Sequence, residues 1–503
     1  MKLSSLLERA DIACPPSAAE LDITEIVTDS RKASEGCLFV CIAGSRSDGH
    51  SFIGEAIRKG AKVIVAEQVR DVGVGGAAAV YVENTRRAAA LLYNSWYSDP
   101  ARDMKLVGVT GTNGKTSVVN LLKRIFEKRG IVCGTIGTLG CYVGEEKLDT
   151  LSDDPLSNMT TPEPAQLYKT LALMRERRVE YVFMEVSSHS LSLERVAALD
   201  FELAVFTNLT QDHLDFHNDM ESYFLSKAKL FRKCRRALIN LDGDYAERLI
   251  GCAECDGIYT VSLNKKADYY VEDVEYLSFG GVRYSMIDSI NKEKTEMSIG
   301  LSGSFAVINS LDAAAAARLC GIPRETVADA LSQVSGIDGR MELVELGEDA
   351  DISVYIDYAH TPDALENLLC SIRSFRQKDQ RIVLLFGCGG DRDRSKRRYM
   401  ANIASRMADL VIITSDNSRS ESPDIIFSDI LRGIDKEKEY LLIPDRQEAI
   451  EYAVCNSYPR DIIVLAGKGH ERYEIDAKGR RPFDEREITK KAYLKYKALN
   501  DGQ

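Results

Sequence analysis

The stretch LVGVTGTNGKTS, Leu106 to Ser117, constrains the fold of this chain more than any other. Apolar Leu106, Val107 and Val109 predict a buried strand, and Gly111 and Gly114 a turn. After Lys115-Thr116-Ser117, apolar residues at 118, 121, 122, 125 and 126 keep the i, i+3, i+4 spacing of an amphipathic helix. A strand that turns through glycine into a helix N-terminus is a phosphate cradle. Backbone N–H groups face the anion, a lysine adds charge, and a hydroxyl ligates Mg²⁺. Lys115 and Thr116 supply the last two. The usual pattern G-x-x-x-x-G-K-[ST] asks for glycine at 109, where valine stands.

One core does not hold 503 residues, so two to four domains are expected. With 45% hydrophobic and 28% charged residues the chain fits a soluble globular protein. A net charge of −12 argues against nucleic-acid binding, where a basic face supplies the affinity, but leaves room for a local basic pocket. The opening MKLSSLLERADIA meets Glu8, Arg9 and Asp11 before any long apolar run, so no signal peptide is expected. No run approaches 18 apolar residues, so no membrane insertion is expected and the cytoplasm is the expected location. Twelve cysteines are scattered from Cys14 to Cys455 and read as reduced thiols. Cys252 and Cys255 have metal-ligand spacing but lack a second pair or a nearby histidine, which disfavours zinc.

Strand-like runs alternate with helical patterns throughout, which predicts α/β layers. The alanine-rich Leu311–Gly321 reads as a helix with a glycine stop. Polar WYSDPARDM (96–104) and the glycine-bearing SQVSGIDGRME (332–342) mark two boundaries. Three domains follow: 1–102, 103–336 and 337–503. In the last, RIVLLFGCGGDRD, ADLVIITSDN and DIIVLAGKGH each run from a strand into Gly, Asp or Asn. Ligands bind at the carboxyl ends of parallel strands, and Asp391, Arg392, Asp416, Asn417, Lys468 and His470 collect there.

The middle segment repeats this logic. VEYVFMEVSSHS ends a strand at Glu185, before Ser187, Ser188 and His189. A strand-end glutamate beside a phosphate loop either holds Mg²⁺ against the phosphates or is simply solvated. FELAVFTNLTQDHLDFH ends another strand at Thr207 and Asn208 and adds His213 and His217 at i, i+4. The zinc motif H-E-x-x-H is excluded by Leu214 in the place of its glutamate; His213 reads better as a metal ligand or catalytic-site residue at the same edge.

Together these stretches resemble the Mur ligases, ATP-dependent amide-forming enzymes of peptidoglycan synthesis. The loop TGTNGKT is that family's form, which accounts for Val109. TTPEP (160–164), MEVSSHSL (184–191), FTNLTQDHLDFH (206–217), YFLSKAKLF (223–231) and DYAHTPDALEN (357–367) match in order. The chain looks most like the MurE type, the UDP-N-acetylmuramoyl-tripeptide synthetases. That resemblance implies an N-terminal uridine-nucleotide-binding domain, a central P-loop ATPase-like parallel sheet and a C-terminal Rossmann-like domain. It implies ATP, Mg²⁺, UDP-N-acetylmuramoyl-L-alanyl-D-glutamate and a diamino acid as ligands, with a monomeric chain expected. ATP would phosphorylate the D-glutamyl side-chain carboxylate, and the amine would attack the acyl phosphate.

Residue by residue, the resemblance places ATP at Gly111, Thr112, Asn113, Gly114, Lys115, Thr116 and Ser117, with Asn309, Arg340 and Asp357 alongside. It places Mg²⁺ on Thr116, Glu185 and His213. Lys227 would be carbamylated by CO₂ and help hold a second Mg²⁺; outside this motif it would read as a helix-surface lysine. Ser30, Ser45, Arg46, Ser47, Asp48, Thr160, Thr161, Ser187 and Arg195 map to the UDP-substrate. Arg397, Asp416, Asn417, Arg419, Gly467 and Glu471 map to the amino acid. In F-N-x-x-N the first asparagine is Ala306 here, and in the selectivity stretch Ser418 replaces proline. Arg419 is a planar fork suited to the far carboxylate of meso-diaminopimelate; L-lysine or L-ornithine are the alternatives, with Arg419 then paired to an acid such as Glu421. Folylpolyglutamate synthetase shares the loop but does not need the N-terminal segment. A non-enzymatic nucleotide switch would leave the third domain's strand ends unused.

Overall fold

A computed structural model describes the chain except residues 45–46, 68–75, 149–158, 278–280, 302, 348–349 and 501–503. Ser45 and Arg46 therefore lie outside the described residues. Three α/β sheets follow one another along the sequence. The first is four-stranded and parallel, β1 (Ile26–Val27), β2 (Leu38–Val40), β3 (Val63–Glu67) and β4 (Ala78–Val82), in sequence order.

The second sheet has eleven strands. They are β5 (Lys105–Thr110), β6 (Cys133–Gly137), β7 (Gly140–Val143), β8 (Glu146–Lys147), β9 (Tyr181–Glu185), β10 (Phe201–Phe206), β11 (Cys234–Asn240), β12 (Gly257–Ser262), β13 (Tyr269–Tyr276), β14 (Val282–Asp288) and β15 (Glu293–Ile299). Their order is β15-β14-β13-β12-β11-β10-β5-β9-β6-β7-β8. The stretch from β13 to β6 is parallel, as expected. Both margins are antiparallel, so the sheet is mixed. The margins are hairpins, which need only short turns, whereas parallel neighbours need a crossover.

β5 lies at the centre because both its faces are covered. Leu106 enters one apolar cluster with Val182, Met184 and Phe206; Val107 and Val109 enter the other with Phe183 and Val205. That alternation is the two-residue period of a strand. Val109 is thus still a core strand residue, and the loop proper begins at Gly111. The register pairs Val109 with Glu185 on one side and Thr110 with Phe206 on the other. Hence the phosphate loop, Glu185 and Thr207-Asn208 all leave the sheet at one edge. The alanine-rich segment is the helix Ser304–Leu319, buried along most of its length and ended before Gly321 at φ +89°.

The third sheet comprises β16 (Glu342–Leu343), β17 (Ser353–Asp357), β18 (Ile382–Phe386), β19 (Leu410–Ile413), β20 (Tyr440–Leu442) and β21 (Ile462–Ala466), ordered β16-β17-β21-β18-β19-β20. All pairs except β16–β17 are parallel. Asp357, Ala466, Phe386 and Ile413 are in register, so the segments after β17, β21, β18 and β19 emerge together. A hairpin, β22 (Tyr473–Asp476) and β23 (Gly479–Pro482), follows β21. Among the described residues no helix is long and apolar enough to cross a membrane.

Candidate active site

Between β5 and the helix Lys115–Lys128 the loop is held from two sides. A Cβ at Gly111 would run into the Thr207 hydroxyl, and one at Gly114, φ +88°, into the Asn309 side chain. These two glycines are where the loop needs glycine. The Asn113 N–H donates to Asn208 Oδ1 (2.9 Å), and Thr112 Oγ1 donates to the Thr210 carbonyl (3.1 Å). Lys115 Nζ donates to the carbonyls of Gly111 and Thr112, both at 2.9 Å. Ser117, half-buried, lies in the first helical turn. Two contacts bring the third sheet's segment onto the loop. Arg340 Nη2 donates to Thr116 Oγ1 (3.2 Å), and Asn113 Nδ2 donates to Asp363 Oδ2 (2.7 Å). Asp357 sits behind Arg340, its carboxylate accepting the N–H groups of Met341 and Ala359 at 2.7 and 2.8 Å.

Glu185 lies buried at the end of β9. Thr116 Oγ1 and Thr138 Oγ1 each donate to its Oε2 at 3.0 Å, and the Thr138 N–H donates to Oε1 at 2.8 Å. One carboxylate among hydroxyls is a hard-oxygen donor set of the kind Mg²⁺ takes when phosphates fill its remaining positions. Among the described residues no group of three or more His, Cys, Asp or Glu is placed to hold a metal ion. The residues fit Mg²⁺ at Thr116 and Glu185. The mapped substrate residues form the next layer. Thr160 Oγ1 lies 3.1 Å from Thr138 Oγ1, whose proton goes to Glu185, while Thr161 Oγ1 donates to the Glu185 carbonyl (2.8 Å) and Arg195 Nη1 to the Thr161 carbonyl (2.8 Å). The Ser187 hydroxyl caps the short helix Ser188–Ser192.

A third layer is histidine-rich. His213, at φ +54°, faces Asp212 across 3.3 Å and meets the His189 ring edge-on, 4.8 Å between centroids. Burial pushes His213 down to about 3 and His189 to about 4, so both imidazoles are neutral near pH 7. Neutral imidazole is the metal-binding form. His217 turns to the Ser188 hydroxyl instead (2.9 Å). Lys227 is only 2% exposed; its Nζ donates to the Gly111 carbonyl (2.8 Å) and lies 4.7 Å from the Tyr223 ring centroid. Burial, then the Lys115 charge, push its amine well below the usual lysine range.

After β18, β19 and β21 the third sheet builds a polar cluster. Asn417 Nδ2 donates to Glu471 (2.7 Å), and Asn417 Oδ1 accepts from Lys468 Nζ (3.1 Å). Asp416 lies 3.6 Å from Lys468 and beside Gly467, whose φ of +116° permits that approach. Burial is the largest influence on the Asp416 carboxylate and works against it, yet Lys468, Arg446 and the Asn417 N–H together hold it low; burial raises Glu471. Arg419 joins from φ +53°, its Nη1 donating to the Gly390 carbonyl (2.8 Å). Glu421 does not pair with Arg419. It takes Arg397 in a fork, Nη1–Oε1 2.8 Å and Nη2–Oε2 2.7 Å, with Asp429 at 3.1 Å.

Arg397, mapped to the amino acid, has a side chain that is 0% exposed and held by Glu421, Asp429 and the Gly389 carbonyl. Arg392, earlier in the same loop, is the exposed guanidinium and bears electrostatically on His189.

In the first sheet's domain Ser30 donates to Glu55 (3.0 Å) and Asp48 caps the turn at His50. The Ser47 carbonyl accepts the Gly44 N–H (2.9 Å). Sequence reading missed Thr138, Asp212 and Asp363. Thr138 and Asp363 have meaning only through partners distant in the chain, whereas Asp212 and Asp363 stand inside two of the quoted motifs, which could have marked them.

A cleft of about 550 Å³ lies between residues of the central sheet and residues that follow β21. Gly137, Thr138 and Glu185 line one wall, and His470, Arg472 and Tyr473 another. The Tyr473 hydroxyl reaches Glu471 at 3.4 Å.

The chain matches three family models in order: the Mur ligase family catalytic domain over 22–102, the Mur ligase middle domain over 109–317, and the Mur ligase glutamate ligase domain over 339–469. It is 41% identical over 491 residues, 97% of this chain and 98% of the relative, to UDP-N-acetylmuramoyl-L-alanyl-D-glutamate--2,6-diaminopimelate ligase 1 of Clostridium acetobutylicum. It is 40% identical to the like-named ligase of Clostridioides difficile, covering 98% of this chain and 100% of that one. A solved structure of a UDP-N-acetylmuramoyl-L-alanyl-D-glutamate--2,6-diaminopimelate ligase superposes with a TM-score of 0.69 at 30% identity, covering 98% and 99% of the two chains. By motif, by three-sheet architecture and by full-length similarity, this chain belongs to the Mur ligase family.

Proposed function

We propose that this chain is an ATP-dependent ligase of peptidoglycan synthesis that joins meso-diaminopimelate to UDP-N-acetylmuramoyl-L-alanyl-D-glutamate through an acyl phosphate. The observation that carries this reading is the single cleft with Glu185 on one wall and His470 and Tyr473, neighbours of the amino-acid cluster, on the other. A phosphorylated carboxylate and an incoming amine need a shared space in which to meet.

In this reading the D-glutamyl carboxylate attacks the γ-phosphorus and ADP leaves. Lys115 and the N-terminus of its helix stabilise charge on the phosphoryl oxygens. Thr116, Glu185 and His213 would hold Mg²⁺, which neutralises phosphate charge when bound. The Lys227 amine, depressed by burial, is the nucleophilic form that CO₂ converts to a carbamate, with one proton released; the resulting anion suits a second cation. Asn309, Arg340 and Asp357 serve the nucleotide side. Ser30, Ser47, Asp48, Thr160, Thr161, Ser187 and Arg195 serve the UDP-substrate. Asp416, Asn417, Gly467 and Glu471 receive the amino acid's ammonium end, with Arg419 and the exposed Arg392 for carboxylates.

The working domain limits are 1–102, 103–336 and 337–503, and the working state is a monomer in the cytoplasm. The test is phosphate release by the purified chain with ATP, with and without the UDP-dipeptide, against diaminopimelate, lysine and ornithine, with the product weighed by mass spectrometry. Turnover that ignores the UDP-dipeptide, or a clear preference for lysine or ornithine, would defeat the assignment.

A further inference from the structure

Glu185 is 1% exposed, and a carboxylate so buried must find its donors inside the protein. Among the described residues three hydrogen bonds reach its oxygens, and two of them come from one residue. The Thr138 N–H donates to Oε1 (2.8 Å) and the Thr138 hydroxyl to Oε2 (3.0 Å), so a single turn holds both oxygens. The backbone brings that turn into place. β6 and β9 are parallel neighbours with Ile136 opposite Met184, so the residues after Ile136 emerge beside Glu185. A Cβ at Gly137 would run into Glu185 Oε1, which is why the turn comes this close only with glycine there. The third donor is shared. Thr116 Oγ1 donates to Oε2 (3.0 Å) but also accepts from Arg340 Nη2 (3.2 Å), a group of the third sheet's segment. Thr138 also stands next to the substrate layer, its Oγ1 3.1 Å from Thr160 Oγ1. Thr138 and Glu185 both line the cleft.

We propose that Thr138 is a positioning residue of the ligation: its hydroxyl locks the Glu185 carboxylate in the orientation that, with Thr116, receives the Mg²⁺ accompanying ATP. The proposal rests on the ligase reading above. The terminal torsion of a glutamate is soft, so a carboxylate presents a chosen lone pair only when outer hydrogen bonds stop its rotation. The Thr138 N–H fixes Oε1 alone and leaves the group free to pivot about that atom. The Thr138 hydroxyl on Oε2 closes the second point of the clamp, and the anionic acceptor makes both bonds charge-assisted. Thr116 cannot do this alone, because its oxygen already answers to Arg340 and belongs to the phosphate loop.

The test compares full-length wild type, Thr138→Val and Thr138→Ser. Valine keeps the branched shape and the main-chain N–H and removes only the hydroxyl. Two titrations with Mg²⁺ are read: phosphate release during turnover, and calorimetric binding of a non-hydrolysable ATP analogue, which needs no turnover. Expected for Thr138→Val is a rise of about tenfold in the Mg²⁺ concentration at half-effect in both. Saturating Mg²⁺ should restore most of kcat, and KM for the amino acid should stay within about threefold of wild type. Thr138→Ser, which keeps the hydroxyl, should stay within about threefold of wild type throughout. Should the valine variant fail to fold, Thr138→Ala is read in its place. Mg²⁺ curves of the valine variant within about twofold of wild type would overturn the proposal. So would a serine variant as impaired as the valine one. A loss of kcat that saturating Mg²⁺ does not relieve, with analogue binding unshifted, would reduce Thr138 to shaping its turn and overturn it as well. A wild-type chain that releases no phosphate with the UDP-dipeptide and any of the amines would instead overturn the ligase reading, and the analogue titration would still decide the role of Thr138.

Discussion

Two clusters of buried charge, one after the strands of the third sheet and one around the phosphate loop, are built on opposite plans. In the third sheet's cluster the buried ammonium of Lys468 sits between two carboxylates. Lys468, fully buried, reaches Asn417 Oδ1 and the Tyr473 carbonyl and lies 3.6 and 3.9 Å from Asp416 and Glu471. Around the phosphate loop, Lys115 and Lys227 donate to main-chain carbonyls, and each opposes the other's charge. The first cluster is a receptor completed by its own residues. The second holds its amines at a cost in stability, because among the described residues neither makes a direct ion pair and Asp212 and Glu185 offset them only through space. Such an arrangement is kept where it serves an anion or a reactive amine. Variants on the loop side should therefore strike turnover, and variants on the receptor side substrate choice.

The largest effect should come from Lys115→Ala, which removes the charge nearest the transferring phosphoryl group. A loss of about a thousandfold in kcat, read as phosphate release, is expected; near-normal ligation would break the comparison at its root. Next, Lys227→Ala should lose about a hundredfold, and short carboxylic acids should restore part of it by supplying the missing anion. ¹³C-bicarbonate should add a carbamate resonance to the wild type alone. Full activity of the alanine variant without added acid would leave Lys227 an ordinary buried lysine.

On the receptor side, Arg419→Ala should lower kcat/KM for diaminopimelate about ten- to a hundredfold, the worth of a charge-assisted hydrogen bond, and leave lysine use unchanged. Equal losses for both amino acids would mean that Arg419 only shapes the loop. The smallest effect is on stability. Hydrogen bonds from Arg397 hold the Glu421 carboxyl down at about 2. Its folded pKa lies below its unfolded one, so the stabilisation is complete above about pH 4.3 and is lost as pH falls towards 2. Glu421→Gln should cost about 2 kcal/mol at pH 7, and denaturant melts should show the gap closing between pH 4.3 and 2. A gap that stayed constant with pH would remove the ionic part of this clamp.

Much of this was legible in the sequence because it is local. The strand–glycine–helix order of Leu106 to Lys128 fixes a βα turn by hydrophobic period and by the conformation that Gly114 alone adopts easily. The alanine-rich helix and its glycine stop follow from propensity in the same way. The antiparallel margins of the central sheet were not legible, since a strand's sequence does not state the direction of its neighbour.

The site makes the same point. By itself the sequence determined that lysines, carboxylates and glycines would gather at strand ends, because each motif carries its own turn. It could not say that Arg397 turns inward to Glu421 and Asp429. It could not say that Thr138 would complete the Glu185 site, or that Asp363 would reach Asn113 across 250 residues of chain. A side chain's charge state and partner depend on what else is buried within a few ångströms, and only the packing of one sheet against another decides that.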